Sequence, residues 1–212
     1  MNIRAELRCR CGDVRAVVRD PSPKTVNRVI CYCDDCQAFA HQLGRADLLD
    51  VHGGTDVVQV APASLTFVQG QDKIAALRLS PKGLFRWHAR CCNTPVGNTL
   101  TPSVPFVGVV AQAFETDGQD PDALFGRPVG TNLGKFAIGD VPGKTKGISL
   151  SLLLRVLRLV LGWRLTGKTW PHPFFERGSG TPRYPVIVLS REQRDALRPL
   201  CGPRPQALTQ VQ

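Results

Sequence analysis

Apolar and charged positions alternate strictly through Ile3-Arg-Ala-Glu-Leu-Arg-Cys-Arg-Cys11, so Ile3, Ala5, Leu7, Cys9 and Cys11 share one face of an extended strand. Gly12-Asp13 is a turn signal, and Val14 to Arg19 reads as the hairpin partner. Asn27 to Cys33 alternates again and aligns Val29, Cys31 and Cys33. Further strands are predicted at Val57 to Val60, Leu65 to Val68, Ile74 to Leu79, Leu84 to His88 and Val104 to Val110, punctuated by Gly, Pro, Asp and Ser. The expected fold class is mainly β, a small antiparallel β-rich domain with short loops.

The pattern changes at Ser149. The run SLSLLLRVLRLVLGWRL is the only long helical candidate, with Ser151, Arg155, Arg158 and Gly162 on one narrow stripe and a broad apolar surface elsewhere. It is short and arginine-rich for a membrane span, which leaves burial in the domain, a homodimer contact or an interfacial helix on a membrane. Pro185 to Leu189 reads as a strand, and Ser190 to Gln193 as the capping-box start of a helix through about Leu197. The Pro- and Gln-rich tail from Pro199 is expected to fray. A turn-rich acidic stretch with Glu115, Asp117, Asp120 and Asp122 marks the expected boundary. Residues 1–115 then form one domain, and residues 116–212 a basic C-terminal α/β extension with an amphipathic helix near 149–165.

At 212 residues the chain is long enough for a real core, and 42% hydrophobic with 20 Gly and 17 Pro scattered through it excludes collagen-like, coiled-coil and low-complexity classes. The N-terminus lacks an apolar signal region, so a cytoplasmic location is expected, where eight cysteines are metal ligands rather than disulfides. The net charge of +10 is uneven: residues 144–183 hold eight Lys or Arg against a single acidic residue, Glu176. Such a surface attracts polyanions, acidic metabolites or anionic lipid headgroups.

Three clusters carry the candidate chemistry: Cys9-Arg-Cys11-Gly12, Cys31-Tyr-Cys33-Asp-Asp-Cys36 and His88-Ala-Arg-Cys91-Cys92-Asn-Thr-Pro95. Each offers the sulfur and nitrogen ligands that Zn²⁺ takes in tetrahedral sites. A structural zinc needs four ligands, and Cys9 and Cys11 can close with two of His88, Cys91 and Cys92. His88 reads equally as a surface or core histidine, since the cysteine pair supplies ligands without it. Cys31, Cys33 and Cys36 remain as a second, three-ligand site with an open position, the pattern of a reactive zinc, unless a spare late cysteine, His41 or His52 completes it. A thiol held on such a metal ionises well below its free pKa.

The order C-x-C-G, C-x-C-x-x-C, then an aromatic strand ending in a C-x-x-C-G-T-P-like turn resembles the glutathione-dependent formaldehyde-activating enzyme and centromere-protein-V family. The resemblance covers about residues 7 to 110, including Gly53-Gly54 and Phe85-Arg86-Trp87. It implies a β-tent type zinc domain in which Cys9 and Cys11 serve a structural zinc and Cys31, Cys33 and Cys36 a catalytic one. The late motif departs from the family. Anchoring on Thr94-Pro95 sets Cys92 at its second cysteine, Asn93 at its glycine and Ala89 at its first cysteine, so one family ligand is missing and His88 or Cys91 could replace it. Gln37 also stands where the family commonly has Arg. The activity implied is a carbon-sulfur lyase of the S-(hydroxymethyl)glutathione synthase type, adding a thiol such as glutathione to a small aldehyde, with arginines receiving the carboxylates. The competing expectation is a zinc-stabilised binding module without catalysis, whose basic extension meets nucleic acid or a membrane surface. Trp163, Trp170, Phe174, Phe175 and Tyr184, interleaved with basic residues, fit such a surface or ordinary core packing. Neither a nucleic-acid partner nor a general acid or base is singled out by the sequence.

Overall fold

A computed structural model describes residues 3–115, 120–143 and 145–203. Asp117, Lys144 and the tail beyond residue 203 lie outside the described residues. The alternation at the N-terminus becomes β1 (Arg4–Arg8), which buries Ala5 and Leu7. It pairs antiparallel with β2 (Arg15–Arg19), setting Leu7 opposite Ala16. β5 (Leu65–Gln69) and β10 (Phe114–Glu115) flank the hairpin in a four-stranded sheet ordered β10-β1-β2-β5.

The second sheet has eight strands. Its order is β11 (Thr131–Asn132), β3 (Asn27–Cys31), β4 (Thr55–Val60), β9 (Val107–Val110), β8 (Thr94–Thr99), β7 (Phe85–Ala89), β6 (Ile74–Arg78) and β12 (Val186–Val188). The fold is therefore mainly β, as the alternation predicts. The interior pairs are antiparallel, but both edge pairs, β11 with β3 and β12 with β6, are parallel. A purely antiparallel reading misses these edges because their strands arrive from distant sequence, not through hairpins.

Those edge strands also correct the boundary expected near residue 115. Both come from the C-terminal half, and Phe174 and Phe175 are fully buried in the same core as Leu7, Val58, Ile74 and Trp87. The Phe174 ring stacks on Trp87 at 4.6 Å and meets Phe67 edge-on at 5.5 Å, bridging the two sheets. Trp163 is buried as well, while Trp170 and Tyr184 pack against the core. These aromatics supply interior area rather than a stacking surface.

Among the described residues four α-helices complete the fold: α1 (Asp34–Gln42), α2 (Pro121–Phe125), α3 (Leu150–Leu165) and α4 (Arg191–Leu197). α4 carries the predicted capping box between Ser190 and Gln193. It packs on α1 through Leu197, Leu189, Phe39 and Leu43, and Arg198 just beyond it pairs with Asp34 and Asp35. α3 buries Leu152 and Trp163, and Arg155 pins it by donating to Asn27 Oδ1 (2.8 Å) and the Pro23 carbonyl (2.7 Å). No described helix is long and apolar enough to cross a membrane.

Candidate metal centres

The first centre joins two tight turns from different sheets. Beyond β1 the chain turns at Cys9, whose carbonyl accepts from the Gly12 amide at 2.8 Å; Gly12 has φ +84°, a conformation that favours glycine. The facing turn links β7 to β8 and holds Cys91, Cys92 and Asn93, which takes φ +55°. The Arg10 amide donates to Thr94 Oγ1 (3.0 Å), fastening the turns together, and Asn93 donates its side-chain amide to the Leu43 carbonyl (3.1 Å), tying the second turn to the end of α1. Their four sulfurs all lie within 4.8 Å of one another. Cys9 is 3.5 Å from Cys11 and 3.8 Å from Cys91, and Cys91 is 3.2 Å from Cys11.

Cys91, not His88, therefore joins Cys92. His88 points away from the turn: its ring packs edge-on against Phe39 at 6.4 Å, its buried Nδ1 has no hydrogen-bond partner, and burial lowers its pKa. Strand pleating explains the choice, since His88 lies inside β7 while the two cysteines lie in the turn beyond it. Burial pushes the Cys9 and Cys91 thiols up. Burial also opposes ionisation of Cys92, but hydrogen bonds from Thr94 and Cys11 bring that thiol down to about 6.

The second centre forms where β3 runs into α1. Cys31 ends the strand, Cys33 is the N-cap of the helix and Cys36 sits in its first turn. The Cys33 sulfur accepts the Cys36 amide at 3.2 Å, the role a Ser or Asp usually plays. Cys31 and Cys36 sulfurs are 3.8 Å apart, and the three lie within 4.8 Å of one another. Among the described residues no fourth ligating side chain joins them. His52 is engaged elsewhere, its Nδ1 2.8 Å from the Ile138 carbonyl oxygen.

Arg86, Asn132, Leu152 and Val156, which cysteine spacing did not single out, surround this trio. Arg86, fully buried on β7, donates to Cys36 at 3.7 Å and lies over the Phe39 ring. Burial works against its charge, and the neighbouring Cys36 and Cys33 outweigh that effect. The Cys36 thiol is held well below its ordinary range by Cys31 and Cys33, against burial and with help from Arg86. Asn132 on β11 donates to Cys31 at 4.0 Å, and Leu152 and Val156 of α3 pack over the group. Gln37 has a structural task, donating to the Tyr32 and Phe136 carbonyls (2.8 and 3.0 Å) and accepting from the Gly202 amide (2.7 Å).

A cavity of about 10 Å³, room for about one water, opens beside Cys36 and is lined by Arg86, Phe39, Thr55, Pro95 and Asn98. Thr55 Oγ1 and Asn98 Oδ1 are buried there without hydrogen-bond partners. The cavity shares Leu48, Pro95 and Val110 with an outer pocket of about 180 Å³ lined by Arg8, Arg10 and Arg45.

The molecule is thus a two-sheet β protein with one four-cysteine and one three-cysteine group, each able to hold a metal ion. It belongs to a family of unknown function, DUF6151, whose model matches residues 1–184. That match runs across residue 115, as the shared core does. No curated protein matches the chain. Among solved structures it is similar to a Rhodobacter sphaeroides protein determined as a structural-genomics target. The two are 16% identical, with 55% of this chain and 91% of that chain covered and a TM-score of 0.38.

Proposed function

We propose that the protein is a zinc-dependent enzyme of the carbon-sulfur lyase type, joining a thiol such as glutathione to a small aldehyde at Cys31, Cys33 and Cys36. A second zinc at Cys9, Cys11, Cys91 and Cys92 is structural in this reading. The donor sets fit the metal. Sulfurs on a tetrahedron around zinc at about 2.3 Å are about 3.8 Å apart. In the four-cysteine group four of the six separations run from 3.2 to 3.9 Å and all lie within 4.8 Å, and Cys31 and Cys36 are 3.8 Å apart. Cys31, Cys33 and Cys36 would hold the zinc, which would supply a Lewis acid there and lower the pKa of a thiol that reached it. A reducing, cytoplasmic location belongs to the same proposal, since all eight cysteines are free.

The observation that carries the reading is the pair of unpartnered polar atoms, Thr55 Oγ1 and Asn98 Oδ1, beside a thiol group that lacks a fourth ligand. Leaving buried polar atoms unpaired costs on the order of 1–3 kcal/mol each, so the pair suits a small polar molecule, a water or the oxygen of a small aldehyde. In the addition a sulfur-carbon bond forms, the carbonyl π bond becomes a carbon-oxygen single bond, and the thiol proton passes to that oxygen. Thr55 can donate to the aldehyde oxygen, and Asn98 Oδ1 can accept from the hydroxyl it becomes. Arg86 balances the charge of the cysteine thiolates. In the outer pocket Arg8 and Arg45 are paired with Glu115 and Asp47, and Arg10 beside them can meet a carboxylate of the thiol. The similarity to the glutathione-dependent formaldehyde-activating motif supports the same chemistry.

Metal analysis and nuclear magnetic resonance of thiol-aldehyde exchange test this. Cys33→Ser is expected to abolish catalysed exchange and lower the zinc content from two per chain towards one, with the fold intact. Unchanged turnover in that variant overturns the proposal.

A further inference from the structure

The outer face of α3 has no covering. Leu150, Leu153, Leu154, Leu157, Leu161 and Leu165 recur at helical spacing along one side of it and are exposed, from 42% at Leu153 to 77% at Leu165. Ile148, just before the helix, is exposed at 52%. The helix cannot roll to hide them, because Leu152, Trp163 and the Arg155 hydrogen bonds hold its opposite side to the protein. A contiguous row of exposed leucines on a rigid helix marks an interaction surface.

The surrounding charge identifies the partner. Lys146, Arg158, Arg164 and Lys168 are exposed around the row, and the chain carries no acidic residue between Asp140 and Glu176. A second copy docking through α3 would bring these cations together with no carboxylate on either helix to meet them. A nucleic acid would answer the cations and leave the leucines in water. An anionic bilayer answers both, accepting the leucines into the acyl boundary and the cations among its headgroups. At about 24 Å, sixteen residues are too short to span a bilayer but suit a helix lying in its plane.

We propose that α3 is a membrane-docking helix that seats the protein on anionic lipid. The same helix packs Leu152 and Val156 against the three-cysteine group. Docking therefore holds that group about one helix diameter, on the order of 10 Å, from the lipid surface. The proposal stands whether or not the group is catalytic.

Flotation of the full chain with phosphatidylcholine vesicles, with and without phosphatidylserine, is the test. The protein is expected to float with the phosphatidylserine vesicles, less with phosphatidylcholine alone, and less again as salt screens the headgroups. The double substitution Leu157→Glu and Leu161→Glu is expected to weaken partitioning by about tenfold or more, because each removes an apolar anchor. Metal content and circular dichroism should not change in it, since both side chains are exposed in the folded chain. Arg158→Glu with Lys168→Glu is expected to remove the preference for phosphatidylserine while leaving weak binding. Failure of the wild-type chain to float, or equal flotation of the leucine variant, overturns the proposal. So does a stable dimer that the leucine variant dissociates in the absence of lipid, which would assign the face to a second copy.

Discussion

Within each cysteine group one thiol is driven below its ordinary range while neighbours are pushed above it: Cys92 beside Cys9 and Cys91, Cys36 beside Cys31 and Cys33. Closely packed thiols cannot all ionise alone, so one takes the charge and the others donate to it. Spacing in the sequence identified every one of these sulfurs. It did not identify Arg86, because an arginine in an alternating strand reads as an outward residue. That inference fails where both faces of a sheet are covered, and β7 has the core on one side and α1 on the other. His172 is a second buried ionisable group, with Nε2 unpartnered, and burial lowers its pKa to about 4. The unfolded chain, titrating near 6.5, binds the extra proton between those values. The contribution of His172 to stability is thus complete above about pH 6.5 and is lost as pH drops towards 4, about 3 kcal/mol in all. Urea unfolding across that range should follow this slope. His172→Asn, which keeps an acceptor for the Phe174 amide, should reduce it to what His88, also lowered by burial, contributes; an unaltered slope would assign the effect elsewhere.

At the scale of elements, the hairpin-forming strands and the capping box were legible because local pattern decides them. β8 was not, since Thr-Pro-Val-Gly-Asn-Thr carries a proline and a glycine, both adverse to a central strand. Pro95 is accommodated where the register with β7 shifts between Trp87 and His88. Gly97 is needed for contact, since a Cβ there would come within 2.9 Å of Phe174 and 3.1 Å of Val107. Gly97→Val should accordingly cost about 1–3 kcal/mol, read as a lower urea midpoint at unchanged slope. No loss would mean that Phe174 can withdraw without penalty. α1 escaped notice because a cysteine caps it in place of the usual Ser, Thr, Asp or Asn. The periodicity of α3 was plain, but which side of its broad apolar surface faces the protein was decided by Arg155 reaching Asn27 and by Leu152 meeting Val29.

At the scale of the whole molecule, the two halves form one core. A chain ending at residue 115 lacks β11, β12, Phe174 and Phe175. Losing a buried phenylalanine costs about 3–5 kcal/mol, so two of them take away much of the roughly 5–15 kcal/mol that holds a domain together. Residues 1–115 alone, even with zinc, should show no cooperative unfolding transition in calorimetry. A sharp transition would restore the boundary expected from sequence.

By itself the sequence determined what depends on neighbours along the chain: the pleated strands, the long helix, the caps and the three cysteine clusters. Period and spacing encode these directly. Only the tertiary structure decided how they combine. It chose Cys91 over His88, set Arg86, Thr55 and Asn98 beside Cys36, and drew the C-terminal half into the core of the N-terminal half. These outcomes follow from contacts between residues far apart in sequence, made when the sheets close and bury both faces, and no local period records them.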